Sequence, residues 1–175
     1  MTENQGGFTL LEVLVAVAII GVLAGIIAPK YISFLERARL TSASDKIYLA
    51  IKEAQSEAQS HRSPWRLSIR EHHGSIEWAT HSNAVSYSEA QWKLLEIHSL
   101  QIDEETTFAS AGGVYYIRFD EHGNPHRLGR ITISGESLSN QKRCIVVSTL
   151  IGAMRKAKEQ PLPDPSYRTR DRFCY

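Results

Sequence analysis

The sequence has few of the residues that define several protein classes. It holds two cysteines among 175 residues, which excludes a disulfide-dense miniprotein and a zinc site with four cysteine ligands. Its formal net charge is +1, from 20 Lys+Arg and 19 Asp+Glu, so bulk positive charge cannot hold it to a nucleic acid. G-x-S-x-G, H-E-x-x-H and phosphate-loop motifs are missing as well. We therefore expect no catalytic residues and a protein that is not an enzyme.

The residue pattern does not support a metal site either. Seven histidines are present, and the two closest pairs are His72-His73 and His122-x-x-x-His126. Neither pair has a cysteine or a carboxylate at a recognisable ligand spacing. The loop that contains Asp120 lacks the acidic density of a calcium site. We expect no metal and no other cofactor.

The chain does contain one long apolar run near its start. Residues 8–28 include a single charge, Glu12. As a helix this run would extend roughly 32 Å, enough to cross the hydrocarbon core of a bilayer. A buried core helix rarely needs to be apolar on every side in so small a domain. A membrane-spanning helix is therefore the better interpretation.

A cleaved secretory signal peptide is the next alternative. Such a peptide needs a basic segment before the apolar run and a small-residue cleavage site after it. Residues 1–7 contain no Lys or Arg, and the run ends at Pro29 without an A-x-A pattern. The distribution of charged residues does not determine the orientation of the span in the membrane. Lys30, Arg37 and Arg39 favour a cytoplasmic side after the span, whereas two cysteines late in the chain favour an oxidising side.

Helical periodicity continues beyond the apolar run. Pro29 should kink the helix without ending it, because apolar positions resume at steps of three to five. These positions include Ile32, Leu35, Ala43, Ile47, Ala54 and Ala58, and charged residues fall mostly between them. The sequence His61-Arg62-Ser63-Pro64 should end the helix.

The remainder of the chain predicts short β-strands separated by turns. The expected strands are Trp65–Ile69, Ser75–Thr80, Lys93–Ile97, Val114–Phe119, Arg130–Ser134 and Cys144–Ser148. The turn-forming stretch at 120–125, DEHGNP, predicts that VYYIRF and RITIS pair as a hairpin. Residues 160–172, with three prolines, predict an irregular tail.

The stretch Gly6-Gly7-Phe8-Thr9-Leu10-Leu11-Glu12-Val13, with the apolar run behind it, resembles the leader and methylation site of type IV pilins and type II secretion pseudopilins. The resemblance extends to Pro29. It implies cleavage after Gly7 by a prepilin peptidase and N-methylation of the new terminus at Phe8. Leaders in this family often carry Lys or Arg, and this one does not.

The resemblance also implies a role for Glu12. In the family this glutamate is thought to pair with the N-terminal amine of a neighbouring subunit, which sets the axial register of a filament. The alternative is that Glu12 merely extends to the lipid headgroups. The implied location is the bacterial inner membrane, with the N-terminus cytoplasmic, the bulk of the chain periplasmic or extracellular, and incorporation into a pilus or pseudopilus after assembly. The implied partners are prepilin peptidase, other pilins in a filament, the assembly platform, and membrane lipid before assembly.

The implied fold is α+β and pilin-like, with a long kinked N-terminal helix packed on a C-terminal antiparallel β domain. The expected divisions are a leader at 1–7, a transmembrane or filament-core half of the helix at 8–29, an amphipathic half at 30–62, and a globular β domain with an irregular tail at 63–175. The strand RITIS, the stretch Arg143–Ser148 and Gly152-x-x-Arg155 further resemble the C-terminal half of the GspH/FimT group of minor pseudopilins.

Two features near the end of the chain stay open at the level of sequence. A disulfide between Cys144 and Cys174 would resemble the disulfide-closed C-terminal loop of many pilins, and two free thiols are the alternative. A candidate anion or DNA patch comprises Arg155, Arg168, Arg170 and Arg172. DNA-uptake members of the group carry G-R-x-R, whereas this chain has Gly-Ala-Met-Arg at 152–155. We therefore favour a solvated surface over nucleic-acid binding.

Together these patterns predict a structural minor subunit of a type IV pilus or a type II secretion pseudopilus. One alternative is a DNA-binding minor pilin of a competence pilus. Another is a plain single-pass membrane anchor with a periplasmic domain, which would not be cleaved after Gly7.

Overall fold

The computed structural model describes residues 7, 9–95, 97, 100–135, 141–160 and 174. The chain divides into two units, Met1–Arg37 and Ala38–Tyr175. The expected α+β class is confirmed, since one long helix is followed by antiparallel strands. In the described part these elements are α1 (Leu10–His61), β1 (Trp65–His72), β2 (Ser75–Ser82), β3 (Lys93–Leu94), β4 (Leu100–Ile102), β5 (Ala109–Ala111), β6 (Val114–Phe119), β7 (Gly129–Gly135), β8 (Lys142–Val147) and β9 (Met154–Lys158).

The C-terminal end of α1 lies where the sequence predicts it. The helix ends at His61, and Arg62 adopts a left-handed conformation with φ of 46°. The Ser63 N–H donates a hydrogen bond to the Ala58 carbonyl at 3.2 Å, which satisfies an acceptor that the helix end would otherwise leave unpaired. Pro64 follows and cannot continue the helix.

The core of the second unit forms along one face of α1. Four alanines at positions 43, 50, 54 and 58 alternate with Ile47 and Ile51, and all six are at most 1% exposed. Small side chains let the strands approach the helix closely, and the two isoleucines fill the space between. The strands contribute Leu67, Ile69, Ile76, Ile117, Phe119, Ile131, Ile133, Ile145 and Val147. The predicted amphipathic stripe is therefore the surface of α1 on which the strands pack to form this core.

Two antiparallel sheets share that core. The first has the order β3-β2-β1-β6-β5, and the second has the order β4-β7-β8-β9. The β1 strand lies between β2 and β6, so Leu67 stands opposite both Thr80 and Ile117. In the second sheet five consecutive residues of β7, Arg130–Ser134, are buried, which shows that both of its faces are covered.

The predicted hairpin between VYYIRF and RITIS is wrong, because β6 and β7 belong to different sheets. The turn itself forms: the Asp120 N–H donates to the Asn124 carbonyl at 2.9 Å, and Phe119 bridges to Pro125. The edges of β6 are taken by β1 and β5, so the chain continues past the turn into the second sheet. A turn signal specifies a reversal of direction but does not specify which strand edge is free.

Other strand predictions differ in length. The strand expected at Lys93–Ile97 spans only Lys93–Leu94. The strands β4, β5 and β9 were not predicted. Two of these contain three residues, and β9 (MRKAK) reads as a charged surface segment, so none shows a clear alternation of apolar and polar residues.

A disulfide and an ionic cluster hold the end of the chain against the second sheet. Cys144 on β8 and Cys174 form a disulfide with 6.1 Å between their Cα atoms, and both residues are buried. The Arg130 guanidinium donates to the Cys174 carbonyl at 2.6 Å and pairs with Glu105 at 3.5 Å. Lys142 lies 3.0 Å from carboxylate oxygens of both Asp103 and Glu105.

Two groups in this cluster titrate away from their ordinary ranges. Burial alone would lower the pKa of Lys142, but its hydrogen bonds to Glu105 and Asp103 outweigh burial and raise it. Burial raises the pKa of the Glu159 carboxyl, Glu105 and Asp103 add to the rise, and Lys142 offsets part of it. Within the described residues the Glu159 Oε2 atom is buried without a hydrogen-bond partner. Glu159 therefore opposes folding when it is ionised.

We predict that removing the disulfide lowers stability. The loop that it closes has a sequence separation of 30, and the chain-entropy relation gives about 3–4 kcal/mol for a loop of that size. The variant Cys144→Ala/Cys174→Ala should therefore unfold at a lower urea concentration than wild type. Tryptophan fluorescence of the full chain in detergent measures the unfolding. Reductant should shift the wild-type transition and leave that of the variant unchanged. Coincident curves for the two proteins would show that the disulfide adds nothing.

We predict that Glu159→Gln stabilises the fold at neutral pH, by less than about 1 kcal/mol because the site is partly exposed. The folded-state pKa is raised, so wild type loses stability as the pH rises through it. The gain should therefore fade as the pH falls below about 4, where the carboxyl becomes protonated in the unfolded state as well as in the folded one. Thermal unfolding against pH measures this, with the exposed Glu104→Gln as the control. A gain that stays constant with pH would contradict the ionic explanation.

Candidate functional site

The start of α1 is built by a helix-capping contact. The Glu12 backbone N–H donates to Thr9 Oγ1 at 3.3 Å, and the Val13 N–H donates to the Thr9 carbonyl at 3.2 Å. Thr9 therefore acts as the N-cap of a helix whose first residue is Leu10. T-x-x-E is the sequence signature of a capping box, a signal for this contact that the sequence reasoning missed.

The first part of α1 exposes an apolar surface. The twelve large hydrophobic side chains between Leu10 and Ile27 are each 49–80% exposed. Gly21 and Gly25 are open as well, with no atom within 4 Å of the position that a Cβ would occupy. This helix is long and apolar enough to cross a membrane, and its apolar segment is 0% buried. Such a surface is unfavourable in water and requires lipid or protein around it.

Glu12 is the one ionisable group on that surface. It is exposed, and the nearest basic residue along the helix is Lys30, 18 positions away and therefore about 27 Å distant along the axis. The helix thus presents a carboxylate at one end of an apolar segment, without a cation from the same segment to neutralise it. Such a carboxylate is suited to a cation supplied by another molecule.

Among the other predicted positions at the start of the chain, Gly7 is exposed, and Phe8 lies outside the described residues. Pro29 lies inside α1, so the prediction that it does not end the helix is confirmed. The kink at Pro29 stays a prediction.

The candidate basic patch is described only in part. Arg155 is exposed on β9, an edge strand of the second sheet, while Arg168, Arg170 and Arg172 lie outside the described residues. The adjacent Lys156 forms a 2.8 Å salt bridge with Asp45. In the described portion of β9, one of the three cations is therefore already paired with a carboxylate.

A serine–histidine pair is present, but it is sealed inside the first sheet. Ser68 and His81 are 0% and 5% exposed, and Ser68 Oγ lies 2.9 Å from His81 Nε2. His81 Nδ1 lies 3.0 Å from the Ser82 carbonyl, which can only accept, so Nε2 of the neutral ring accepts the serine proton. Burial lowers the pKa of His81, and the charge of Arg66 lowers it further. The hydrogen bond to the Ser82 carbonyl raises this pKa but does not offset the other two effects. The pair joins two strands and does not face a substrate.

No group of three or more potential metal-ligating His, Cys, Asp or Glu side chains occurs among the residues that the structure describes. The prediction of no metal site rested on ligand spacing, and the described side chains do not alter that reasoning. The exposed apolar surface at the start of α1, with Glu12 at its end, is therefore the candidate functional surface that the following comparisons address.

Comparisons with known proteins identify this surface. The model of the prokaryotic N-terminal methylation motif matches residues 3–28, the interval that contains Gly7, Phe8 and Glu12. The model of the type II transport protein GspH matches residues 43–150, more than half of the chain. No curated protein matches the chain.

A solved structure supports the fold. The crystal structure of the type IV minor pilin FimU of Pseudomonas aeruginosa (strain PAO1) superposes with a TM-score of 0.50. The two chains are 16% identical, and the match covers 70% of this chain and 90% of that one. At this identity the likeness concerns the fold alone. On the family match, this protein belongs to the GspH family of minor pilins and pseudopilins and is a structural pilin-type subunit.

Proposed function

We propose that this protein is made as a membrane-inserted prepilin, is cleaved after Gly7 and methylated at Phe8 by a prepilin peptidase, and is then assembled into a type IV pilus or a type II secretion pseudopilus. The observation that carries the proposal is the exposed apolar surface of α1, which lies within the residues that the methylation-motif model matches. Residues 10–27 correspond to about 27 Å of helix, close to the hydrocarbon thickness of a bilayer.

The membrane stores the subunit before assembly. Lipid covers the apolar part of α1, and the α helix satisfies its own backbone hydrogen bonds there. In the filament, neighbouring helices replace the lipid. Gly21 and Gly25 stand four residues apart on one helix face and permit a close approach of another helix, as small residues do in membrane helix pairs.

The proposed orientation places the N-terminus in the cytoplasm and the second unit outside. The Cys144–Cys174 disulfide supports this, because such bonds persist in oxidising compartments. Lys30, Arg37 and Arg39 favour the opposite arrangement by the positive-inside rule. We give the disulfide more weight, since reducing thiols in the cytoplasm would act against a bond that closes the end of the chain.

Glu12 would set the position of the subunit in the filament. A carboxylate near the centre of a bilayer costs about 2.5–3.5 kcal/mol on insertion scales, and less near an interface. Cleavage after Gly7 creates a new cation, the α-amino group of Phe8. In a filament the amine of one subunit can pair with Glu12 of its neighbour, so that the charges offset each other only at the correct axial stagger. The assembly platform of the inner membrane would deliver the subunit to that position.

We predict that co-expression with a prepilin peptidase shortens the chain by residues 1–7 and adds one methyl group at Phe8. Intact mass spectrometry reads both changes together. Gly7→Ala should prevent cleavage, while Gly21→Ala, a matched glycine within the apolar segment, should leave processing unchanged. An unprocessed mass for wild type would contradict the prepilin proposal and would favour a plain membrane anchor.

We predict that Glu12→Gln lowers incorporation into the filament without blocking processing. The neutral amide removes the charge pair, and the loss of a single such contact lowers incorporation by about tenfold. The measurement compares the amounts of the protein in sheared filaments and in membranes of a strain that makes the filament. Glu12→Asp keeps the charge and should retain part of the incorporation. Equal incorporation of Glu12→Gln and wild type would assign Glu12 to the helix cap alone.

A further inference from the structure

The outer edge of β6 is shared between two segments that leave a gap between them. The β5 strand pairs with β6 at Tyr116, which stands opposite Ala109. Two residues further on, the His126 N–H donates to the Arg118 carbonyl at 2.9 Å. Between these attachments lies a cavity of about 320 Å³. All of its lining residues belong to the second unit.

Two arginines without a carboxylate partner line this cavity. Arg118 projects from β6 and is half-buried, and Arg127 is exposed in the segment before β7. Within the described residues neither guanidinium forms a salt bridge, whereas Arg70, Arg130 and Lys142 each pair with a carboxylate. A half-buried guanidinium held without a counter-charge favours an incoming anion.

The chemistry of the lining indicates a compact oxyanion with an apolar neighbour. Guanidinium groups bind carboxylates and phosphates through two parallel hydrogen bonds, which fixes the orientation of the anion. The other side of the cavity is apolar: Phe108 is buried, and Leu128 is 41% exposed. An occupant that satisfies both sides carries a charged group beside an aliphatic one.

The surroundings favour a peptide over a nucleic acid. The turn directly after β6 carries Asp120 and Glu121, which would repel a run of phosphates beside the cavity. Arg66, which stands opposite Arg118 in the sheet, is engaged with the Tyr87 ring at 4.5 Å and with the Val85 carbonyl at 2.8 Å. A continuous track of free cations is therefore missing along this face of the described sheet.

The adjoining sheet edge can hold a peptide backbone. In the described part of the chain β5 is the last strand of its sheet, and its residues Ala109–Ala111 carry neither charge nor proline. Charges and prolines are the usual protection of an exposed edge, so this one can accept an additional extended segment. Ala109 of this strand also lines the cavity, so a peptide bound at the edge of β5 would lie close to it.

We propose that this cavity binds the glutamate or aspartate side chain of an acidic–apolar peptide segment from a partner protein, with Arg118 and Arg127 on the carboxylate and Leu128 against the neighbouring aliphatic side chain. The site is separate from α1, so it adds a second, side-chain-specific contact to a subunit that assembles through its helix. It does not depend on cleavage after Gly7 or on the pairing of Glu12.

The test uses the full chain in detergent micelles and two peptides with blocked ends, ALEVA and ALQVA, which differ only in the carboxylate. NMR titration gives the two dissociation constants. We expect ALEVA to bind about tenfold more tightly than ALQVA, and Arg118→Gln and Arg127→Gln each to weaken ALEVA by about tenfold. Arg155→Gln, an exposed arginine outside the cavity, should have no effect. Arg118→Lys keeps the positive charge but cannot donate two parallel hydrogen bonds to a carboxylate. It should therefore bind ALEVA more tightly than Arg118→Gln does, but less tightly than wild type.

Three results would overturn the proposal. The first is equal affinity, or no binding, for the two peptides with wild type. The second is Arg118-dependent binding of a short oligothymidylate that is tighter than that of ALEVA, which would assign the cavity to nucleic acid. The third is an equal loss in Arg155→Gln, which would show attraction by charge alone. If circular dichroism shows that Arg118→Gln does not fold, two other measurements decide the outcome. These are the affinities of wild type for ALEVA and ALQVA, and the affinity of the Arg127→Gln variant for ALEVA.

Discussion

The packing of one apolar stripe of α1 against two sheets is the contact on which the second unit depends. Leu40, Ile47 and Ile51 lie at most 1% exposed among alanines that bring the strands close. Both sheets direct their isoleucines toward this stripe. Because the sheets and the helix each present an apolar side to the other, neither element could exclude water from that side alone.

The first unit meets the opposite situation. Apart from Glu12, its large side chains from Leu10 to Ile27 are apolar and exposed, and no described element of the unit covers them. The same helix therefore runs from a segment that needs an external apolar partner to a segment that carries its own core. Under the proposed function, lipid would be that partner before assembly and other helices would replace it in the filament.

A disulfide and ionic contacts, in addition to the hydrophobic core, hold the end of the chain within the second unit. The disulfide between Cys144 and Cys174 is supplemented by Arg130 and Lys142, which bring Glu105 and Asp103 into one ionic cluster. Within the described residues Arg118 and Arg127, which line the cavity, form no salt bridge, in contrast to Arg130 and Lys142. The ionic cluster therefore stabilises the fold, whereas the two arginines at the cavity are available to an anion from another molecule.

Several features could be predicted from the sequence because their signals are local. The apolar run, the amphipathic stripe, the end of α1 after His61 and the strands at 65–69, 75–80 and 114–119 all follow from composition and periodicity within a single segment. The T-x-x-E cap at Thr9 was readable in the same way, although it was missed. Gly7, Phe8 and Glu12 are adjacent in the sequence, so their motif is complete before the chain folds.

Other features depend on which distant segments meet. The split of β6 and β7 between two sheets, the short strands β4 and β5, and the ionic cluster around Lys142 each involve choices among strand edges that no local pattern encodes. The cavity at Arg118 is lined by three short segments within residues 108–128, which meet because β5 and the segment at His126 both pair with β6. The sequence by itself determined the helix, its membrane-length apolar segment and the processing motif, because each needs only neighbouring residues. Tertiary structure alone decided the sheet order, because it depends on pairing between distant strands, and the cavity, because its lining is set by which segments share the edge of β6.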